Sequence, residues 1–169
     1  MSISQPVLRT HIDYTIWASR RLVESAALLT PEELNRDFRH ADRSVLGTLV
    51  HIFAADRTWL GRLEGQPTSK FLDPETDLRM DVLENEWPAL HRRWLKWLDT
   101  QTDATLLEPL GYRDLKGNEH QTPPWQIVLH VVNHATHHRG QVSAMLRAMG
   151  HSPPPVDLIV FYRGLAQSA

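Results

Sequence analysis

The sequence predicts an all-α protein, an antiparallel four-helix bundle, and three observations carry that expectation. Four segments of about twenty residues repeat apolar side chains every three or four positions, the spacing of a single helix face. Stretches with the two-residue alternation of strands are few and short. The composition is that of a folded globule, with 41% apolar and 22% charged side chains in 169 residues, which suits one domain over 1–169 with a full core.

The first helix is expected from about Val7 to Leu29, with Leu8, Ile12, Leu22, Val23 and Ala26 on one stripe and Thr30-Pro31 ending it. The second starts at Ser44, a residue type that caps helix N-termini, and runs to about Leu63 before Gly65. The third covers about Leu78 to Leu98, where Leu83, Trp87, Leu90, Trp94 and Leu98 recur at helical spacing. Pro88 inside it predicts a kink or a break into two collinear pieces. Between the third and fourth helices, Leu106 to Gln121 carries short alternating stretches around Lys116-Gly117-Asn118 and reads as a small hairpin. The fourth helix opens at Thr122-Pro123-Pro124 and closes at Gly150. After Pro153-Pro154-Pro155, a short helix is expected from Asp157 to Gly164.

Composition narrows the function. A net charge of −2 without a basic stripe argues against nucleic-acid binding. The chain has no cysteine, so disulfides, a thiolate nucleophile and sulfur metal ligands are excluded, and any metal must be held by nitrogen and oxygen. No apolar run approaches membrane-spanning length, and Met1 to Thr15 lacks the charged-then-apolar pattern of a secretory leader, so a cytoplasmic protein is expected.

The most informative run is His130 to Gln141, which holds four of the ten histidines within nine residues of the fourth helix. His134 and His138 lie one turn apart, on or beside the stripe of Ile127, Val131, Val142, Met145 and Met149. Imidazoles on an apolar face need partners, and a divalent metal is one that two rings can share. By itself His-x-x-x-His is a weak motif, and spacing equally permits the pair His130/His134. A third ligand on another helix is sought at His51, in Leu49-Val50-His51-Ile52-Phe53. Its helix is apolar around most of its circumference, which predicts deep burial. Its helical neighbours Gly47, Thr48, Ala54 and Ala55 are small, which would let another helix come close. Against this, Leu46, Leu49, Phe53 and Leu60 point well away from His51, and if they mark the core His51 faces a boundary.

These residues carry a resemblance. The chain resembles the DinB/YfiT-like superfamily of four-helix-bundle metalloproteins along most of its length. The resemblance rests on Tyr14-x-x-Trp17-Ala18 with Leu22, on Leu49-x-His51 with Trp59-Leu60, and above all on Asn133-His134-x-x-x-His138-Arg139-Gly140-Gln141. It implies that His51, His134 and His138 are the metal ligands. Relatives often show Asn on the first helix where this chain has Thr15 and Ser19. Three imidazoles from two helices would leave positions for water and substrate, the pattern of a catalytic rather than a structural site. Zinc or nickel suits the donor set best, with iron or manganese as alternatives. The nucleophile would be a water or an incoming thiol made acidic by the ion. The resemblance favours the thiol, since characterised relatives include thiol-dependent transferases and a thiol-dependent isomerase.

The expected protein is therefore a metal-dependent enzyme of thiol-transferase or hydrolase type. It would act on a small electrophilic molecule, with a low-molecular-weight thiol as cosubstrate, and form a homodimer. A non-catalytic metal-binding or stress-response bundle is the second reading, and a structural helical dimer the third. His130 and His137 are read as edge residues, either a proton shuttle or support for a ligand. His11 is read as lying toward the inner face, Asp13, Asp56 and Asp157 as orienters of a ligand ring, and Arg139 as a surface ion-pair residue. The six tryptophans are assigned to core or dimer interface.

Overall fold

The computed structural model describes residues 4–39, 41–66 and 70–168. Four long helices form the bundle: α1 (Gln5–Ala26), α3 (Val45–Leu63), α5 (Trp87–Asp99) and α7 (Pro124–Ala148). Between them lie three one-turn helices, α2 (Pro31–Asn35), α4 (Pro74–Asp77) and α6 (Asp103–Leu107), and the chain closes with α8 (Leu158–Ser168). The bundle predicted from apolar periodicity is present. No helix of the described residues is long and apolar enough to cross a membrane.

The one-turn helices were not expected, and each has a local cause. At Thr30-Pro31, read as a helix end, Thr30 accepts the Glu33 N–H while the Glu33 carboxylate accepts the Thr30 N–H, so a reciprocal box starts α2. Thr102 and Thr105 make the same arrangement at α6, and Asp73 caps α4. The N-cap at Ser44 is as expected, its Oγ accepting the Gly47 N–H at 3.0 Å. At the other end of the bundle, α7 ends just before Gly150, whose φ of +89° is the left-handed turn that glycine adopts without strain.

Pro88 breaks the third helical stretch, but upstream of itself. Having no N–H, it cannot close the ordinary bond to the Glu84 carbonyl, and the backbone from Val82 to Glu86 winds as a π-helical turn. The Trp87 N–H reaches the Val82 carbonyl, five residues back. The hairpin is also present, as β1 (Leu110–Arg113) paired antiparallel with β2 (Glu119–Thr122), Leu110 opposite Thr122. It begins later than expected, because Leu106 and Leu107 belong to α6.

The core lies where the four apolar faces meet, with Ile12, Leu22, Leu49, Phe53, Leu60, Trp87, Trp94 and Leu98 almost fully buried. Each such side chain contributes about 1.5–3 kcal/mol of transfer free energy. Helix α7 packs chiefly on α3 and α1, which places its histidine face against the start of α3.

Candidate metal centre

His51 sits on α3 on the side away from Leu49 and Phe53, so those side chains mark the core and His51 occupies its margin. The expectation of deep burial is corrected: the ring remains 24% exposed. From α7, His134 and His138 project toward it. One ring nitrogen from each of the three lies within 4.8 Å of the others. His51 Nε2 and His134 Nε2 are 3.1 Å apart, and the His51 and His138 ring centres are separated by 4.4 Å. Two nitrogens sharing a tetrahedral ion at about 2.0–2.1 Å stand roughly 3.3 Å from each other, so the spacing fits a common cation.

The outer nitrogens decide which lone pairs face inward. His51 Nδ1 lies 3.1 Å from Asp42 Oδ1, so its proton sits on that side and Nε2 is left as a free acceptor. His138 Nδ1 donates to Gln141 Oε1 at 2.7 Å and lies 3.6 Å from Asp42 Oδ2, which leaves its Nε2 free as well. Asp42 thus spans two rings with one carboxylate. His134 Nδ1 is buried without a hydrogen bond among the described residues, so its tautomer is set by the inner side. Burial is the largest influence on His134, ahead of the neighbouring imidazoles, and pulls its pKa down to about 3. His51 is lowered too, by burial first, with Asp42 opposing. Neutral imidazole is the form that can bind a cation.

Asp42 was missed by sequence reasoning, which looked to Asp13, Asp56 and Asp157. It lies in the loop before α3, and Gly47 is what lets that loop sit down. A Cβ at Gly47 would stand 2.1 Å from the Asp42 carbonyl oxygen. Of the small residues beside His51, Gly47 therefore admits the preceding loop, while α3 packs on α7. The loop is also held by Asp37, which accepts the Arg39 N–H and the Arg43 guanidinium. Arg39 and Arg43 take left-handed backbone angles, φ 59° and 63°, a cost that recurs where a loop must present a functional side chain. The legible signal was Gly47 itself, a helix-weakening residue in a first turn, one turn before His51.

We expect Asp42→Ala to weaken metal binding by about 10–100-fold, measured by competition with a chromophoric chelator, because it frees two rings at once. Gly47→Ala should do the same without touching a carboxylate. Unchanged affinity in both variants would remove Asp42 from the site.

The other candidates fall elsewhere. Asp13 faces Arg9 at 3.5 Å, and Asp157 stands at the head of α8, its carbonyl taking the Val160 N–H. Asp56 is buried among tryptophans, its Oδ2 accepting the Trp87 indole N–H at 2.8 Å. His11 bonds back to the Val7 carbonyl within α1 and is not among the gathered rings. His137 is exposed and receives the Gln141 amide N–H at 3.4 Å, while that amide's oxygen holds His138. His130 packs edge-on against Trp59 and 5.8 Å from the His134 ring, at the edge where the spacing put it. Phe71 covers His51 from the other side, with ring centres 5.2 Å apart.

Arg139 corrects the surface expectation most sharply. It is 1% exposed, and its guanidinium donates to Thr15 Oγ1 at 2.7 Å, Ser19 Oγ at 3.3 Å and Thr136 Oγ1 at 2.8 Å, over the face of Tyr14. Thr15 and Ser19, the two departures on α1, are its partners. Arg139 ties α1 to α7 immediately beside His138.

Comparison with known proteins agrees with this architecture. A family model described as "DinB family" matches residues 3–166. "Protein DinB" of Bacillus subtilis (strain 168) is 26% identical over 152 residues, covering 86% of this chain and 87% of that protein. The crystal structure of a DinB-like protein from Bacillus cereus ATCC 10987 superposes with a TM-score of 0.66 at 19% identity, over 87% of this chain and 95% of the other, which speaks to the fold.

Proposed function

The chain belongs to the DinB family, and from that premise we propose that it binds one divalent metal ion through His51, His134 and His138 and uses it to activate a thiol or water against a small electrophile. The observation that supports this reading is the convergence of three imidazole nitrogens from two helices within 4.8 Å, with the far sides of two rings engaged by Asp42 and Gln141. Zinc or nickel suits three neutral imidazoles best, and iron or manganese would also be held. When bound, such an ion supplies Lewis acidity, making a water or thiol acidic near neutral pH.

The residues of the chain do the rest. Asp42 and Gln141 hold the ring N–H groups of His51 and His138 outward, so the unshared pairs of the neutral rings face inward. Burial keeps His134 uncharged. Phe71 on one side and the Trp59–His130 pair on the other wall the cluster with aromatic surface, which restricts water and suits an apolar electrophile. Nitrogen donors from α3 and α7 alone leave the remaining directions to water, thiol or substrate.

The test is a reaction panel. Protein purified without a polyhistidine tag should turn over at least one pairing of a low-molecular-weight thiol with an electrophile, or an ester or amide, above chelator-stripped protein. If the loaded and stripped forms are equal across the panel, the catalytic reading fails and a metal-binding bundle that acts through ligand or partner binding is left.

The pH dependence has a definite sign. In the metal-free protein His51 and His134 sit below their ordinary value, so the unfolded chain takes up protons first as pH falls. Their contribution to stability is complete above about pH 6.5 and is lost as pH drops toward 3. Chelator-treated protein should thus show a falling Tm over that window, and loaded protein should release its metal as pH falls through the same window. Metal retained well below about pH 3 would contradict an all-histidine site.

A further inference from the structure

Arg62 follows His51 on α3 by three helical turns, so it falls on the same face as that ring. It is 9% exposed, and among the described residues no carboxylate pairs with it. The two acids nearest in the ion-pair pattern of α3 are taken, Asp77 by Arg57 and Glu64 by Arg93. Asp114, whose charge it feels, is committed to the hairpin turn, where it accepts the Lys116 and Asn118 N–H groups and pairs with His120. The guanidinium lies instead against two rings, 4.4 Å from the centre of Trp59 and 5.0 Å from that of Tyr112. Burial lowers its pKa, the mark of a cation withdrawn from water. Buried charges are as a rule paired, so this one is poised for an anion from outside the chain.

A strip of rings joins Arg62 to the metal centre. Trp59, three residues back toward His51, packs edge-on against His130 with centres 5.1 Å apart, and His130 stands 5.8 Å from the His134 ring. His130 is exposed, and Trp59 and Tyr112 are half-buried, so the strip is open to solvent from the side. Burial and then the Arg62 charge lower the pKa of His130, which places the guanidinium electrically close to the strip. We infer that Arg62 anchors a carboxylate on the molecule that meets the metal, an inference that rests on the metal reading above. From His51 to Trp59 the helix rises about 12 Å. The substrate class selected is therefore elongated: one end reaches the ion, an apolar stretch lies over His130 and Trp59, and the far end carries the carboxylate. A guanidinium offers a planar fork that takes both carboxylate oxygens, and the two rings against it limit its motion before binding.

The experiment loads untagged protein with cobalt(II) and titrates thiols, following the thiolate-to-cobalt absorption band. The acid 8-mercaptooctanoate should bind about tenfold more tightly than the neutral 8-mercapto-1-octanol, the worth of one charge-assisted pair. Added salt should narrow that gap. In Arg62→Met, which keeps an apolar stem against Trp59 and Tyr112, the gap should close to within about twofold. Arg62→Lys, with the charge but not the fork, should fall between. Mercaptoacetate is too short to span from the ion to Arg62 and should bind the unaltered protein and Arg62→Met alike. Equal binding of the long acid and the long alcohol overturns the inference and leaves the metal reading standing. So does a preference that survives in folded Arg62→Met, or a loss of mercaptoacetate binding as large as that of the long acid. The acid–alcohol comparison needs only the unaltered protein, so it decides the matter even if the variants do not fold. Absence of cobalt uptake, or of the band with every thiol, sinks the metal reading itself and this inference with it.

Discussion

Alanine in place of His51, His134 or His138 is expected to lower metal affinity by roughly 100–1000-fold per substitution. A four-ligand zinc site is worth about 10–16 kcal/mol, so each ligand carries about 3–4, and 1.4 kcal/mol is a factor of ten. The measurement is metal content and competitive chelation on untagged protein, with His137→Ala as the control. His137 is exposed and meets the cluster through Gln141 and edge-on against the His138 ring, outside the three gathered nitrogens, so its loss should leave affinity within a few-fold. The contrast separates a built site from a chelating patch. In a patch, His51 on the other helix would matter no more than His137, and equal effects of the two substitutions would refute the ligand set.

The second large effect is on stability. Arg139→Met should cost about 3 kcal/mol or more, because three hydrogen bonds from a buried guanidinium are lost and the Asp56 carboxylate is left without its nearby positive charge. For a chain of this length that is a fall in Tm of roughly 6–12 °C by calorimetry. Arg139→Lys keeps the charge but not the planar fork, so it should fall between the two. A change below about 1 kcal/mol would show that Thr15, Ser19 and Thr136 are as well satisfied without it. Asp56 itself is pushed up to about 7, chiefly by burial. Its folded-state value thus lies above the unfolded one, and its contribution to stability, full below about pH 4, is lost as pH rises through 7.

Much of the fold was legible because its signals are local. A repeat of three or four apolar positions, Ser44 before a helix, Gly150 after one and Pro88 within one act through neighbouring backbone and need no tertiary context. The one-turn helices were missed for the opposite reason: five residues with a threonine box have too little periodicity to distinguish them from a turn. In the candidate site, spacing offered His134/His138 and His130/His134 equally, and only the likeness to a family singled out one pair; His51 was already a candidate from its apolar helix and small neighbours, and the likeness made it a ligand.

The sequence by itself determined which helices form and which face of each is apolar, because both follow from side chains a few residues apart. Only tertiary structure decided what the polar residues on those faces meet. It brought Asp42 over two imidazoles through a loop that Gly47 admits, turned Arg139 inward onto two hydroxyls more than a hundred residues away, and set Asp56 behind His91 rather than behind a ligand ring. A charged or polar side chain takes its energy from partners brought together by packing, and no periodicity along the chain records where those partners are.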